Sequence, residues 1–277
     1  MQRLFNVLFT VLLVLCPAVA QERVTLRYRF APGETLRYRV EHALDVENVV
    51  AGSAQRYSSR SQSTRELRVQ TADAEAAAIE LVVTQMKVEA TLPSGTKIDI
   101  DTSKNSDHPL ARLVGRPLGQ FKLMTTGEVR DWRQLQPDAR GAVVNLQLFF
   151  IRFPTQAVAV GQQWNDTFAM PRPALGAGPR GSITFRRTCR VIALEGERAT
   201  IGVSIELAEP EKIEPKVRAS VAQFLMEGTV EFDVTHGRIV RTSYRVADDV
   251  DSIGDQGDRL AVRGTLHETL LLPVARR

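Results

Sequence analysis

Cysteine is almost absent from this chain, which contains only Cys16 and Cys189. Cys16 lies in an N-terminal segment that we expect to be removed, so a single thiol would remain and an intramolecular disulfide is excluded. Cys189 alternates with apolar residues in the segment 183–191. This pattern predicts a small buried side chain on a strand rather than a nucleophile. Burial of apolar surface must therefore stabilise the fold.

Long apolar runs are also missing, apart from residues 4–15 near the N-terminus. Arg3 precedes this run and the small residues Ala18 and Ala20 follow it, and together these features predict a signal peptide over residues 1–20. Residues 4–15 are too few to cross a bilayer, which takes about 20. We therefore expect an exported protein of the periplasm or cell envelope with no transmembrane segment.

Attachment of a lipid to Cys16 is the alternative to a soluble export signal. The residue before a lipid-modified cysteine is normally small, whereas Leu15 precedes Cys16 here. The sequence therefore favours the soluble signal, and lipidation of Cys16 remains the alternative.

Signatures of catalysis are missing as well. The chain has no GxSxG elbow, no phosphate-binding P-loop and no GxGxxG turn between a strand and a helix. Its four histidines, His42, His108, His236 and His267, lack the spacing of metal ligands. We predict a protein without catalytic residues, metal or cofactor, although paired carboxylates brought together by the fold would not show in a sequence.

The basic residues do not cluster, and the net charge is +4. Arginines such as Arg27, Arg29, Arg37 and Arg39 alternate with apolar residues, which is typical of the solvated face of a half-buried sheet. A nucleic-acid groove would need basic clusters with exposed aromatic residues, so no nucleic-acid partner is predicted.

Two acidic loops could bind calcium. In the segment 99–107, oxygen-bearing side chains recur at every second position from Asp99, as in an EF-hand loop. Lys104 stands where the sharp turn needs glycine, and Leu110 stands where a bidentate glutamate belongs. A second acidic loop surrounds Asp251. Both are interpreted as polar loops, and calcium binding is the alternative.

Period-two alternation of apolar and polar residues is present in most of the chain and predicts strands with one buried face. Residues 24–30 and 36–46 alternate on either side of Pro32-Gly33, which predicts a hairpin. The polar residues 58–64 predict a strand at an exposed edge of the sheet. Residues 216–225 are compatible with either helix or strand.

Two segments of the chain, 65–81 and 187–203, align without a gap and share six identities in seventeen positions. Similar glycine turns precede and follow both segments in the same order. The sequence thus predicts a mainly β fold made of two related antiparallel curved sheets, an internal duplication joined by a helix. The first β repeat would cover residues 21–136 and the second residues 154–277.

The connecting helix is predicted over residues 137–153. Asp138 suits its start, Pro154 ends it, and apolar residues recur at helical spacing. Such a helix is ordinarily buried in a core, and the alternative is that it lines an apolar cavity between the sheets. In that case Leu146, Phe149, Phe150 and Phe153 are the candidate ligand-binding residues.

Two motifs resemble those of uncharacterised exported bacterial proteins that share a domain of unknown function. Residues 154–164 follow the pattern Pro-x-x-x-Val-x-Val-Gly-Asp-x-Trp with Gln162 in place of Asp, and residues 232–239 follow Phe-Asp-x-x-x-Gly-Arg-(Ile/Leu). The resemblance implies a shared fold and no particular activity. The Phe-Asp-x-x-x-Gly turn is also more distantly similar to that of periplasmic lipoprotein carriers with half-barrel sheets.

These observations predict a non-catalytic binding protein of the periplasm or cell envelope, with a hydrophobic or lipidic small molecule as its ligand. The alternative is a scaffolding protein that pairs with another envelope protein through edge strands, residues 58–64 first among them. A hydrolase with a site assembled by the fold is the third hypothesis.

Overall fold

Alternating apolar and polar residues produce a large antiparallel sheet in the computed structural model, which describes residues 22–105, 107–137, 146–171, 181–251 and 258–271. The predicted signal peptide lies outside these residues. The strands are β1 (Arg23–Val24), β2 (Thr35–Val50), β3 (Ser53–Ala72), β4 (Ala76–Thr91), β5 (Lys97–Asp101), β6 (Pro117–Met124), β7 (Val129–Gln134), β8 (Val158–Ala159), β9 (Gln163–Pro171), β10 (Ser182–Glu195), β11 (Arg198–Leu207), β12 (Met226–Asp233), β13 (Arg238–Asp251) and β14 (Arg259–Leu271). The α-helices are α1 (Leu146–Phe149) and α2 (Pro215–Val221).

Twelve of these strands form one sheet, in the order β7-β6-β4-β3-β2-β14-β13-β12-β11-β10-β9, with β5 paired to β4. The first long strand, β2, pairs with the last, β14, from Arg37↔Leu271 to Val49↔Arg259. The prediction of a mainly β, antiparallel fold is confirmed. The two predicted sheets are instead one continuous sheet, because pairing of β2 with β14 satisfies the backbone hydrogen bonds that two separate sheets would leave open at their edges.

The polar segment 58–64 does not lie at an edge of the sheet, so this prediction was wrong. It belongs to β3, which pairs with β2 on one side and with β4 on the other. Ser59, Ser61 and Ser63 alternate toward the same face as the buried Leu67 and are half-buried. Their polarity therefore reflects a sheet face that extends beyond the core. In the described part of the chain, β7 and β9 form the ends of the strand order.

The predicted hairpin of residues 24–30 with residues 36–46 is also absent from the described fold. β1 covers only Arg23–Val24 and pairs with β8. The chain then contacts two turns, because Tyr28 donates its N–H to the Thr125 carbonyl oxygen (2.8 Å) and Arg29 donates to that of Gly237 (3.0 Å). Apolar and polar residues still alternate in this segment, so the Tyr28 side chain lies in the core. The backbone of the segment is hydrogen-bonded to two hairpins that are distant in the sequence.

The two segments that align in sequence form hairpins of the same register. Val69 lies opposite Ile79 in β3–β4, and Val191 lies opposite Ile201 in β10–β11. Each hairpin has a register shift directly after that pair. The aligned residues therefore occupy matching places in the ladder.

The glycine turns that precede these hairpins make matching hydrogen bonds. Gly33 donates its N–H to the Val69 carbonyl oxygen (2.9 Å), and Gly161 donates to that of Val191 (2.8 Å). Both glycines have positive φ, at +78° and +84°. Because a side chain is disfavoured in that conformation, glycine fits both turns.

The predicted connecting helix ends earlier than the sequence indicated. α1 covers Leu146–Phe149, the residues after it up to 153 are not helical, and residues 138–145 of the predicted helix lie outside the described residues. Residues 216–225 are mostly helical, since α2 is followed by a 3-10 turn, Ala222–Phe224. Within the described residues, no helix has the length and apolarity needed to span a membrane.

Candidate apolar binding site

The four predicted ligand-binding residues come together in the core. The side chains of Leu146, Phe149, Phe150 and Phe153 are all buried, with at most 5% of their surface exposed. The Phe149 and Phe150 ring centroids lie 4.7 Å apart in an edge-to-face arrangement. Because these side chains pack against one another and the sheet, they fill space as core residues do. Their role in ligand binding stays a prediction.

Two buried tyrosines fix this aromatic cluster. Tyr28 lies between Phe150 and Phe153, with ring centroids at 5.5 Å and 5.1 Å. Its hydroxyl oxygen accepts a hydrogen bond from Ile151 N–H (3.1 Å). Tyr38 donates its hydroxyl to the Ile239 carbonyl oxygen (2.9 Å). Burial raises the pKa of both phenols, so they remain neutral hydrogen-bonding groups.

A buried ion pair lies next to the cluster, between β9 and β10. Arg187 donates from Nε to Asp166 Oδ1 (2.9 Å) and from Nη2 to Oδ2 (2.5 Å), and its Nη1 donates to the Gln147 carbonyl oxygen (2.7 Å). Burial by itself would lower the pKa of Arg187, but the hydrogen bonds and charge of Asp166 outweigh it and raise that pKa. The guanidinium group therefore stays charged and paired.

A second buried ion pair joins Arg65 on β3 to Glu268 on β14. The guanidinium carbon of Arg65 lies 4.0 Å from the ring centroid of Phe149, which is a cation–π contact. Arg65 and Arg187 are aligned residues of the two similar segments. Both halves of the sheet thus bury an arginine beside an aromatic ring.

A small cavity of about 230 Å³ borders this ion pair of Arg187 and Asp166. Of the four predicted ligand-binding residues, Phe150 alone contributes to its lining in the described part of the chain. Since Arg187 is already bonded to Asp166 and Gln147, its charge is not available to a ligand there.

A larger groove of about 460 Å³ lies between the sheet and the helical segment of α2 and its 3-10 turn. We use "core face" for the face of the sheet that carries the buried Tyr38 and Leu44 on β2. The apolar lining of the groove comes mainly from this face, from Leu44, Val46, Tyr57, Leu260 and Val262, together with Pro93 and Ala219. Its polar lining consists of Asn48, Gln55, Ser220 and Gln223.

The groove exists because the central strands continue beyond the packed core. Along β2, Leu44 is buried, whereas Val46 and Asn48 on the same face are half-buried. On neighbouring strands the core face continues with half-buried apolar residues, including Met86, Val88 and Leu266. An exposed apolar face of this kind is uncommon on a protein surface unless something binds to it.

The helical segment is fixed to one side of the groove. Val217 and Val221 on α2 are buried, with 2% and 1% of their surface exposed. Arg218 Nη2 also pairs with Asp248 Oδ1 on β13 at 3.0 Å. These contacts hold Ala219 and Ser220 toward the groove.

Sequence reasoning did not identify the groove residues. The signal for Val46 was the alternation along β2, which ends at this residue, and no signal pointed to Asn48. Nothing in the local sequence shows that α2 would pack on β13 and border the same groove as β2, β3 and β14, since these elements are far apart in the chain.

The acidic loop at residues 99–107, which could have been a calcium site, is held by hydrogen bonds within the loop. Asp101 accepts hydrogen bonds from the N–H and hydroxyl of Ser103, and its own N–H donates to Asn105. In the described residues, no three of His, Cys, Asp and Glu converge as metal ligands would. The loop after Asp251 lies outside the described residues.

Cys189 is fully buried on β10, as the sequence predicted. Burial raises the pKa of its thiol to about 12, with smaller effects from Arg187 and Asp166. A thiol with such a pKa is almost entirely protonated at neutral pH and therefore a poor nucleophile.

No protein-family model and no curated protein matches this sequence. Among solved structures, a lipovitellin structure that concerns lipid–protein interactions is similar with a TM-score of 0.52 and 14% identity. The match covers 90% of this chain and 26% of the lipovitellin chain, so this chain spans only part of that protein. At this identity the likeness shows a shared fold, a lipovitellin-like open sheet of antiparallel strands.

Two further structures are more distant. An outer membrane channel from Pseudomonas putida F1 matches with a TM-score of 0.27 and 7% identity, over 88% of this chain and 97% of the channel. A DUF1329 family protein from Desulfovibrio piger matches with a TM-score of 0.17 and 10% identity, over 86% and 87% of the two chains. TM-scores this low do not indicate a shared fold.

Proposed function

We propose that this chain is an exported, non-catalytic binding protein of the periplasm or cell envelope, and that the groove holds an apolar or lipidic small molecule. The half-buried apolar core face beside α2 is the observation that carries the proposal. A groove of about 460 Å³ has the size of a site for one small molecule, for which volumes of about 300–1,000 Å³ are typical.

The groove supports this function better than the aromatic cluster does. Phe149 and Phe153 already contact other buried side chains, so a ligand would have to displace them at the cost of core packing. Val46, Tyr57 and Leu260 are only half-buried. Covering their apolar surface with a ligand would gain roughly 25 cal/mol per Å² before the costs of binding.

Two further features agree with the proposal. The predicted signal peptide supports export, and the open sheet resembles that of lipovitellin, whose solved structure concerns lipid–protein interactions. Scaffolding through residues 58–64 has lost its main support, because that segment pairs with strands on both sides.

The internal duplication belongs to the same proposal. Matched registers at Val69↔Ile79 and Val191↔Ile201, together with matched turns at Gly33 and Gly161, support one β unit built twice. In that interpretation β14 is an additional strand that joins the two halves by pairing with β2.

Val46→Glu is expected to weaken binding of the uncharged dye N-phenyl-naphthylamine by at least ~10-fold, which corresponds to about 1.4 kcal/mol. Val46 lines the apolar part of the groove, where a bound ligand would bury the new carboxylate without a partner. The measurement is a fluorescence titration of the wild type and the variant.

Val49→Glu is the matched control for this substitution. Val49 is half-buried on the same strand, but its side chain points to the opposite face of the sheet. This variant should bind the dye within about twofold of the wild type. Equal losses in both variants, or no dye binding by the wild type, would refute the groove as the binding site.

A further inference from the structure

The polar lining of the groove indicates what chemical class of ligand it accepts. Its polar groups are three amides, Asn48, Gln55 and Gln223, the hydroxyl of Ser220 and the phenol hydroxyl of Tyr57. None of the lining residues in the described ranges is charged. The groove thus offers hydrogen bonds without a charge to neutralise a ligand.

The polar and apolar parts of the groove are separated along the strands. Asn48 lies directly opposite Gln55, and the next pair on this face toward the core is Val46 with Tyr57. Across the other ladder, Val46 lies opposite the buried Val262 and Asn48 lies opposite the half-buried Leu260. On β2 and β3 the lining therefore changes from amides near the turn to mainly apolar side chains near the core, which suits an amphiphile.

The three amide groups of the lining can form hydrogen bonds with a ligand. Asn48, Gln55 and Gln223 make no side-chain hydrogen bond to another residue in the described part of the chain. An amide donates and accepts hydrogen bonds, so it matches an alcohol or an ester equally well. Ser220 donates its hydroxyl to the Val217 carbonyl oxygen (2.6 Å) and retains its acceptor capacity.

Of the two cationic side chains on α2, Arg218 has a carboxylate partner, and Lys216 does not line the groove. Arg218 pairs with Asp248 at 3.0 Å, so its charge is already balanced. A carboxylate or phosphate drawn into the groove would lose water without gaining a cationic partner, which is costly. An uncharged head group would need only the hydrogen bonds that the amides supply.

We propose that the ligand is an amphiphile with one long alkyl chain and an uncharged polar head, such as a fatty alcohol or a fatty ester. The chain would lie along Val46, Tyr57 and Val262, and the head would contact Asn48 and Gln55. This inference rests on the proposed function of the groove. It excludes fatty-acid anions and phospholipids as preferred ligands.

Competition for the dye N-phenyl-naphthylamine tests the inference with three molecules of equal chain length: lauryl alcohol, methyl laurate and laurate. The alcohol and the ester are expected to displace the dye at a concentration at least ~10-fold lower than laurate does. Laurate that competes as well as the alcohol would overturn the uncharged-head assignment while leaving the binding function intact. Failure of the dye to bind, or of all three compounds to displace it, would refute the function itself.

A charge introduced at the polar end provides the matched variant. Asn48→Lys should improve competition by laurate by ~10-fold or more relative to lauryl alcohol, because the ammonium group supplies the missing partner. Val49→Lys places the same charge on the opposite face of β2 and should leave the ratio of the two compounds unchanged. An unchanged ratio in Asn48→Lys, in a protein that still binds the dye, would contradict the predicted head-group position.

Discussion

Asp166→Ala is expected to lower the free energy of unfolding by about 3–5 kcal/mol, which is the cost of leaving a buried charge without its partner. Asp166 lies directly opposite Arg187 in the β9–β10 ladder. Only 6% of the Asp166 side chain and 3% of the Arg187 side chain are exposed. Urea unfolding followed by tryptophan fluorescence measures the change.

The large effect follows from the number of bonds that the substitution removes. Asp166 accepts two hydrogen bonds from Arg187, and the buried guanidinium group would lose both of them. The hydrogen bond from Arg187 to the Gln147 carbonyl oxygen would remain but would not balance the charge. The residual positive charge would therefore destabilise the region where β9 and β10 meet α1.

An exposed ion pair gives the control. Arg245 and Glu227 lie 2.5 Å apart on β13 and β12, with 72% and 58% of their side chains exposed. Glu227→Ala should cost only about 0–1 kcal/mol, because water screens this pair and solvates the remaining charge.

A double substitution separates loss of charge balance from loss of packing. The variant Asp166→Leu/Arg187→Met should regain most of the stability that Asp166→Ala loses, since apolar residues often replace a buried ion pair without cost. A loss in Asp166→Ala no larger than in Glu227→Ala would show that the pair is not buried as described.

Gly127→Ala is expected to destabilise the fold by about 2–5 kcal/mol, from backbone strain of about 1–2 and overpacking of about 1–3. Gly127 has a φ of +90°, in the left-handed region. A Cβ atom there would lie 2.0 Å from the Ile151 carbonyl oxygen and 2.7 Å from Cε2 of Tyr28. The turn could accept it only by moving away from the aromatic cluster.

Gly95→Ala isolates the backbone part of this cost. Gly95 has a similar φ of +81°, but nothing lies within 4 Å of the position of a Cβ atom. Its substitution should cost only the ~1–2 kcal/mol of backbone strain. Equal losses of stability in the two variants would mean that the contact of Gly127 with Ile151 and Tyr28 has no energetic importance.

The local β structure was predictable, but the pairing of distant strands was not. Alternation identified β2 and β10, and the aligned segments 65–81 and 187–203 both form hairpins. The pairing of β2 with β14 joins opposite ends of the chain, and a period-two pattern does not state which strand is the neighbour. One sheet and two sheets therefore have the same local sequence signature.

The wrong prediction of an edge strand has its physical origin in sheet length. Polar residues 58–64 suggested an edge, yet they belong to the part of β3 that extends past the core, where a central strand also meets water. The same extension exposes Val46 and creates the groove.

The helix over residues 137–153 was predicted from apolar spacing, but after α1 the chain leaves the helix, and Phe153 donates its N–H to the Thr126 carbonyl oxygen (2.7 Å).

The central claim is that the groove, rather than the aromatic cluster, holds an apolar molecule. Photo-crosslinking with a fatty alcohol that carries a diazirine in its chain, followed by peptide mass spectrometry, tests it most directly. We predict adducts on β2, β14 and α2, near Val46, Val262 and Ala219, and their loss in Val46→Glu. Adducts confined to residues 146–153 or to the opposite face of the sheet would contradict the claim.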